Sequence, residues 1–343
     1  MRDVLEDVRA ALGGAEAWVV GGALRDELLG RPILDVDIAC DEPELIALTF
    51  ARHGAGAPFP LSERHGAWRV VLADGRTVDF TPLPGAIVDD LVSRDFTLNA
   101  MARQLAGGDL VDPFGGRVDI ADCRIRAVSP RVFEEDPLRL LRAVRLEDEL
   151  GFRCDEATEE LVRAYAVLVS RPAGERILGE LERLSVDGYH RLDELGLLAA
   201  LGGSPGRFDR LDAVDSSNFR LVCAFGARLR DLPISRRLGR YARTLLGAEP
   251  PGDGSPRLIH RFRQATEPWA LDALAFLGRP ELGAAVAQAR ARDPVAPLLR
   301  GDELGLPPGP EIGTLLRLIA EERAAGTIST REEALDLVRE QSR

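Results

Sequence analysis

The stretch from Ala17 to Ala39 leaves little freedom to the chain that contains it. Ala17–Val20 is a short apolar run of strand length, and Gly21-Gly22 stop it. Leu24, Leu28 and Leu29 follow at helical spacing, and Gly30 ends that run. Leu34–Ala39 is again a strand pattern, with Asp35 and Asp37 two residues apart. On a strand both carboxylates then point to one face, while Val36 and Ile38 point to the other and can be buried. A strand, a glycine turn, a helix and a second strand in so short a span predict a small α/β layer with charge on one face of its sheet.

Two acids side by side repel one another, and a divalent cation removes that repulsion. Mg²⁺ is held by carboxylates together with substrate phosphates, and a pair of ions about 3.5–4 Å apart clamps both oxygens of a phosphoryl transfer. Asp35 and Asp37 are the candidate ligands for two Mg²⁺ ions. Asp79, alternating with Val78 and Phe80 on a later strand, is a third candidate acid. Gly21-Gly22 lets backbone N–H groups approach a phosphate at a helix start, and Arg25 lies one turn further on. Either pattern alone has a plainer reading, a solvated strand face or an ordinary turn. Their order along the chain favours the nucleotide site.

The chain has 343 residues, enough for two or three units of ordinary size. Trp68–Leu72 and Val78–Thr81 read as strands joined at Asp74-Gly75, and Glu42–Phe50 as a helix. Phe96–Leu105 fits helix or strand equally. From Phe133 onward helical spacing takes over, with breaks at Gly203–Gly206 and Pro250–Pro256 as linker candidates. The fold class expected is α+β, a mixed sheet followed by an all-α half. The net charge is −12, yet all 44 basic residues are arginine, so chemistry that needs a lysine is excluded. The four cysteines and four histidines are scattered, without zinc-ligand spacing. The N-terminus carries acids throughout and no apolar signal core, so a cytoplasmic chain is expected.

At this point the sequence resembles a known family. Gly21-Gly22-Ala23-Leu24-Arg25-Asp26-Glu27-Leu28-Leu29-Gly30-Arg31 followed by Asp35-Val36-Asp37-Ile38-Ala39 resembles the first motif of the bacterial class II tRNA nucleotidyltransferases, the CCA-adding enzymes, and of their poly(A) polymerase relatives in the polymerase-beta-like superfamily. Arg94-Asp95-Phe96-Thr97-Leu98-Asn99-Ala100 resembles the family segment associated with the ribose 2′-hydroxyl, with Ser93 in place of its first arginine. Asp112-Pro113-Phe114-Gly115-Gly116, Glu135-Asp136-Pro137-Leu138-Arg139, Glu175-Arg176-Ile177 with Glu180, and Pro308–Gly313 match further family segments in order.

The resemblance implies a nucleotidyltransferase head over 1–128, a helical neck over 129–200 that selects the base, and a helical body and tail over 201–343 that bind tRNA. It implies CTP, with ATP as a second candidate, as substrates, and the acceptor end of tRNA as the partner. Gly21, Gly22, Arg25, Arg94, Asp95 and Asn99 would meet the nucleotide. Asp136 and Arg139, three apart on a helix, would share a face and read the base edge; the plainer reading is a salt bridge. Arg142 and Arg145 would reach the triphosphate or the tRNA end. His65 resembles a structural turn of the family. Arg236, Arg237, Arg240 and Arg243 are either a solvated helix face or phosphate contacts. Only FTPLPGAIVDDLVS separates Asp79 from Arg94. Relatives that add all three nucleotides carry a longer flexible loop there, so its shortness resembles the CC-adding members.

Overall fold

The computed structural model describes residues 2–12, 14, 16–54, 56–62, 66–83 and 85–341; His65 lies outside them. The chain divides into two units, Met1–Leu201 and Gly202–Arg343.

In the first unit, β1 (Ala17–Val20), β2 (Asp35–Cys40), β3 (Ala57–Ser62), β4 (Ala67–Val71), β5 (Thr77–Pro82) and β6 (Ala102–Gln104) form one sheet in the order β3-β4-β5-β2-β1-β6. β2 pairs antiparallel with β1 and parallel with β5, so the acid-bearing strand is central. The period-2 pattern explains its placement. Val36 and Ile38 are 4% and 0% exposed, and Val78 and Phe80 of β5 are both fully buried. Phe50 of α3 (Pro43–Gly54) packs its ring 5.7 Å from that of Phe80. α1 (Arg2–Leu12) lies against α3 and buries Val4, Leu5 and Val8. α2 (Gly22–Leu28) fills the connection between β1 and β2.

The β4–β5 hairpin turns at Asp74-Gly75 as its sequence predicts, with the Arg76 N–H donating to Asp74 Oδ1 at 3.1 Å and Gly75 at φ +87°. The undecided stretch 96–105 is both things in turn: a 3-10 turn at Thr97–Asn99, then β6. After β5 a short helix, α4 (Ile87–Val92), takes up the interval before Arg94.

The rest of the first unit is helical. α5 (Gly116–Ala121) follows the Pro-Phe-Gly turn; a small parallel pair, β7 (Arg124–Ile125) with β8 (Arg153–Cys154), flanks α6 (Val132–Glu135) and α7 (Arg139–Leu150). α8 (Glu156–Tyr165), α9 (Gly174–Leu181), α10 (Val186–Glu194) and α11 (Leu197–Ala200) complete it. α8 and α10 begin at Asp155 and Ser185, whose side chains accept from the N–H groups of Thr158 and Gly188.

The second unit is all-α: α12 (Ser217–Phe225), α13 (Arg236–Leu246), α14 (Pro256–Thr266), α15 (Ala270–Leu277), α16 (Gly283–Ala291), α17 (Pro310–Ala325) and α18 (Arg331–Gln341). Tyr241 and Trp269 meet edge to face at 5.5 Å, and the Tyr241 hydroxyl donates to Asp272. Leu299, Leu304, Leu315, Ile319, Ile328, Ala334 and Val338 form a core near the C-terminal end. Pro250–Pro256 joins α13 to α14 inside this unit rather than separating units.

Candidate active site

The site is built on the polar face of β2. Asp37 is half-buried, and its carboxylate accepts no hydrogen bond from a described residue. Burial pushes its carboxyl up; Arg94 opposes this, Asp79 adds to it, Arg142 opposes it, and Asp35 adds. Asp35 is exposed and accepts from the Thr77 hydroxyl at 2.6 Å. Asp79 is the register partner of Asp37 on β5. It sits in the expected place, but both of its oxygens are taken by Arg69 of β4, at 2.7 Å each.

Gly21 explains the glycine pair. Its φ of +73° suits glycine, and a Cβ there would lie 3.0 Å from Asp37 Oδ2 and 3.1 Å from Arg94 Nη1. At Gly22 a Cβ would lie 3.3 Å from Arg25 Nη2. The backbone is therefore pressed against the charged groups of the site. α2 is seven residues long, so close backbone approach rather than a helix dipole is what this turn offers a phosphate.

A chain of polar contacts runs away from this turn. Arg25 donates to Asn99 Oδ1 at 2.8 Å and to Asp26. Asn99 donates to Asp95 Oδ1 at 3.1 Å, and the Phe96 N–H donates to the same atom at 2.8 Å. Asp95 Oδ2 is 2.8 Å from Arg142 Nη2 but accepts no hydrogen bond. Burial alone would push the Asp95 carboxyl up; Arg142, Asn99 and the Phe96 N–H outweigh it and hold it below the usual range. Arg94 is held by Asp90 of α4 at 2.8 Å. The Pro-Phe-Gly-Gly turn supports this segment from behind. Asp112 accepts from the N–H groups of Gly116 and Arg117, and buried Asp119 accepts from the Thr97 hydroxyl at 2.6 Å and from Arg126.

Two expectations about the neck are corrected. Asp136 and Arg139 do not share a helix face. Asp136 has φ −141° and ψ 97° and stands between α6 and α7, because a residue before proline is kept out of the helical region. Asp136 pairs with Arg176 at 2.8 Å, whereas Arg139 donates to the Ser93 carbonyl at 2.6 Å and lies 3.6 Å from Glu135. Arg145 does not reach into the site. Its guanidinium is bound by Glu180 at 2.6 Å and Glu149 at 2.7 Å and is 11% exposed, so it ties α7 to α9. Cys40, beside the acids in sequence, is buried with its thiol pushed up to about 12 by that burial.

Sequence reasoning missed Arg69, Asp90 and Asp119. Arg69 could have been found from the hairpin register, which sets it opposite Asp79. Asp90 stands four residues before Arg94, a helical ion-pair spacing. Asp119 carries no comparable signal.

A divalent cation fits Asp35 and Asp37. They share one face of β2, and Asp37 is a carboxylate left without a hydrogen-bond donor in a half-buried place. Mg²⁺ commonly takes one or two carboxylates plus substrate phosphates. Among the described residues no group of three acidic, histidine or cysteine side chains converges as a metal site.

A small mixed sheet with paired acids on its central strand, leading into helices, defines the class: a nucleotidyltransferase of the polymerase-beta-like fold. Residues 17–83 and 72–126 match the Poly A polymerase head domain. A CC-adding tRNA nucleotidyltransferase of Geobacter sulfurreducens is 34% identical, the match covering 94% of this chain and 91% of the relative. An A-adding tRNA nucleotidyltransferase of Deinococcus radiodurans is 31% identical over 93% of this chain and 94% of its own. The crystal structure of the Bacillus stearothermophilus CCA-adding enzyme in complex with CTP is 28% identical, with TM-score 0.77 over 99% of this chain and 96% of that one. The chain belongs to the bacterial class II tRNA nucleotidyltransferases, and it is an RNA nucleotidyltransferase.

Proposed function

We propose that the chain is a cytoplasmic CC-adding enzyme: it transfers two cytidylates from CTP to the 3′ end of tRNA without a template and stops before adenosine. The observation that supports this reading is the connection from Asp79 to Arg94. Among its described residues the helix is α4, whose Asp90 holds Arg94, and it ends at Ser93, whose carbonyl receives Arg139. The groups proposed to meet phosphate and base are thus tethered to a short folded segment, which leaves no long loop to re-aim them.

In the proposed reaction the tRNA 3′-hydroxyl attacks the α-phosphate of CTP and pyrophosphate leaves. Two Mg²⁺ ions held by Asp35 and Asp37 would supply stabilisation of the developing charge and a more acidic 3′-hydroxyl. Gly21 and Gly22 allow the triphosphate to lie against the backbone, with Arg25, Arg94 and Arg142 around it. Asp95, whose Oδ2 lies 2.8 Å from Arg142, would accept from a ribose hydroxyl, and Asn99 fixes its carboxylate. Asp136 offers an acceptor and Arg139 a donor to the cytosine edge, while Arg145 positions α7. Residues 1–128 act as the catalytic head, 129–200 as the base-selecting neck, and 201–343 as the tRNA-holding half, with the exposed Arg236, Arg237, Arg240 and Arg243 as phosphate contacts.

The test uses tRNA ending at the discriminator base and tRNA ending in CC, each with CTP, ATP or both. Two added cytidines and no extension of the CC-ended tRNA by ATP are expected. One added adenosine would make the chain a CCA- or A-adding enzyme, and long adenosine tails a poly(A) polymerase.

A further inference from the structure

Three neighbouring strands carry a row of charges across one face of the sheet. Arg69 on β4 is the register partner of Asp79 on β5, and Asp79 is the register partner of Asp37 on β2. Strands lie about 4.7–4.9 Å apart, so the two acids are near neighbours. Arg69 Nε donates to Asp79 Oδ1 and Arg69 Nη2 donates to Oδ2, both at 2.7 Å. This is the two-pronged arrangement that a planar guanidinium makes with a carboxylate. The Asp79 side chain is 12% exposed and that of Arg69 34%, so the acid is shielded from water more than its partner is. A cation ligated by Asp79 would have to displace one prong, or sit beside a positive charge that never titrates. Asp37, one strand further on, receives no such donor.

We propose that Arg69 removes Asp79 from the ligand set of the divalent cation, leaving a two-carboxylate site, Asp35 and Asp37, beside a third acid that is already neutralised. The proposal rests on the reading that a cation binds at Asp35 and Asp37. Arg69 is then a positioning residue. It gives Asp79 permanently the counter-charge that Asp37 receives only when a cation is bound. With two protein carboxylates the cation depends on substrate phosphates for its remaining charge.

Mn²⁺ serves as the probe, titrated into the full chain without nucleotide and followed by the electron paramagnetic resonance of the free ion. Unfolding temperatures report whether each variant is folded. Asp37→Asn is expected to weaken Mn²⁺ binding by about tenfold or more, and Asp79→Asn to leave it within about twofold, since affinity follows the charge of the ligands. Arg69→Gln, which frees Asp79 to ligate, is expected to tighten binding severalfold, and Asp79→Asn added to Arg69→Gln is expected to abolish that gain. If Asp79→Asn alone weakens Mn²⁺ as Asp37→Asn does, or if folded Arg69→Gln binds no tighter than wild type, the proposal fails. If Asp37→Asn leaves Mn²⁺ binding untouched, the cation reading itself fails. Should Arg69→Gln not fold, Asp79→Asn against Asp37→Asn still decides.

Discussion

Gly21 and Asp37 approach so closely that a methyl group on Gly21 would stand 3.0 Å from the Asp37 carboxylate oxygen. The glycine turn and the acid strand are parts of one surface, and a side chain at the turn would push the acid or Arg94 out of place. Gly21→Ala also forces alanine into a backbone region open almost only to glycine, with φ +73° and ψ −143°, at a cost of about 1–3 kcal/mol. CMP incorporation is expected to fall far more than in Gly30→Ala. Gly30 also has positive φ, but nothing lies within 4 Å of its Cβ position. Steady-state incorporation by the two variants, beside their urea midpoints, makes the comparison.

Asp95 and Arg142 predict a pH dependence. The Asp95 carboxyl is held below its ordinary 3.8. Its contribution to stability is therefore complete above that value and is lost as the pH falls through the lower folded-state value. Breaking a buried pair costs about 3–5 kcal/mol, and Arg142, 38% exposed, brings this to about 2 kcal/mol. Arg142→Met is expected to show that deficit in urea unfolding at about pH 7 and a smaller one in acid, because Asp95 without Arg142 escapes the unpaired buried charge by taking up a proton.

Gly116 packs against the turn that holds Asp95 and Asn99. A Cβ there would lie 2.3 Å from the Thr97 carbonyl oxygen, and backbone cannot yield as a side chain does. Gly116→Ala is expected to cost about 1–3 kcal/mol of stability and to lower incorporation through the displaced turn. Gly179→Ala, in α9 with nothing within 4 Å, is the control. It is expected to gain about 0.4–1 kcal/mol.

The exposed arginines of α13 are tested by salt. Replacing Arg236, Arg237, Arg240 and Arg243 by glutamine is expected to weaken tRNA binding alike for different tRNAs. It is also expected to lower the slope of log affinity against log salt by about 3 if all four meet phosphate. An unchanged slope in a filter-binding titration would assign them to a solvated helix face.

The catalytic part of the fold was legible because its signals are local. β1, α2 and β2 follow from an apolar run, two glycines and an alternation of Asp with Val and Ile. β3 was not legible. Its sequence, APFPLS, holds two prolines and its residues are mostly exposed, so neither propensity nor alternation marks it. The segment 96–105 changes from turn to strand within a few residues, too short for a period to show. Pro137 carries the signal that separates Asp136 from the helix of Arg139, because the residue before a proline is kept out of the helical region. Arg69 and Glu180 decide what Asp79 and Arg145 are free to do, and such partners are set by pairing across strands and helices rather than by neighbours in sequence.

β3 is the outermost strand on its side, pairing with β4 among the described residues, and it carries Pro58 and Pro60. Two apart, these residues take hydrogen-bond donors away from a single edge. A second molecule trying to continue the sheet would find gaps where it needs N–H groups, so the border that could seed fibrils is chemically blunted.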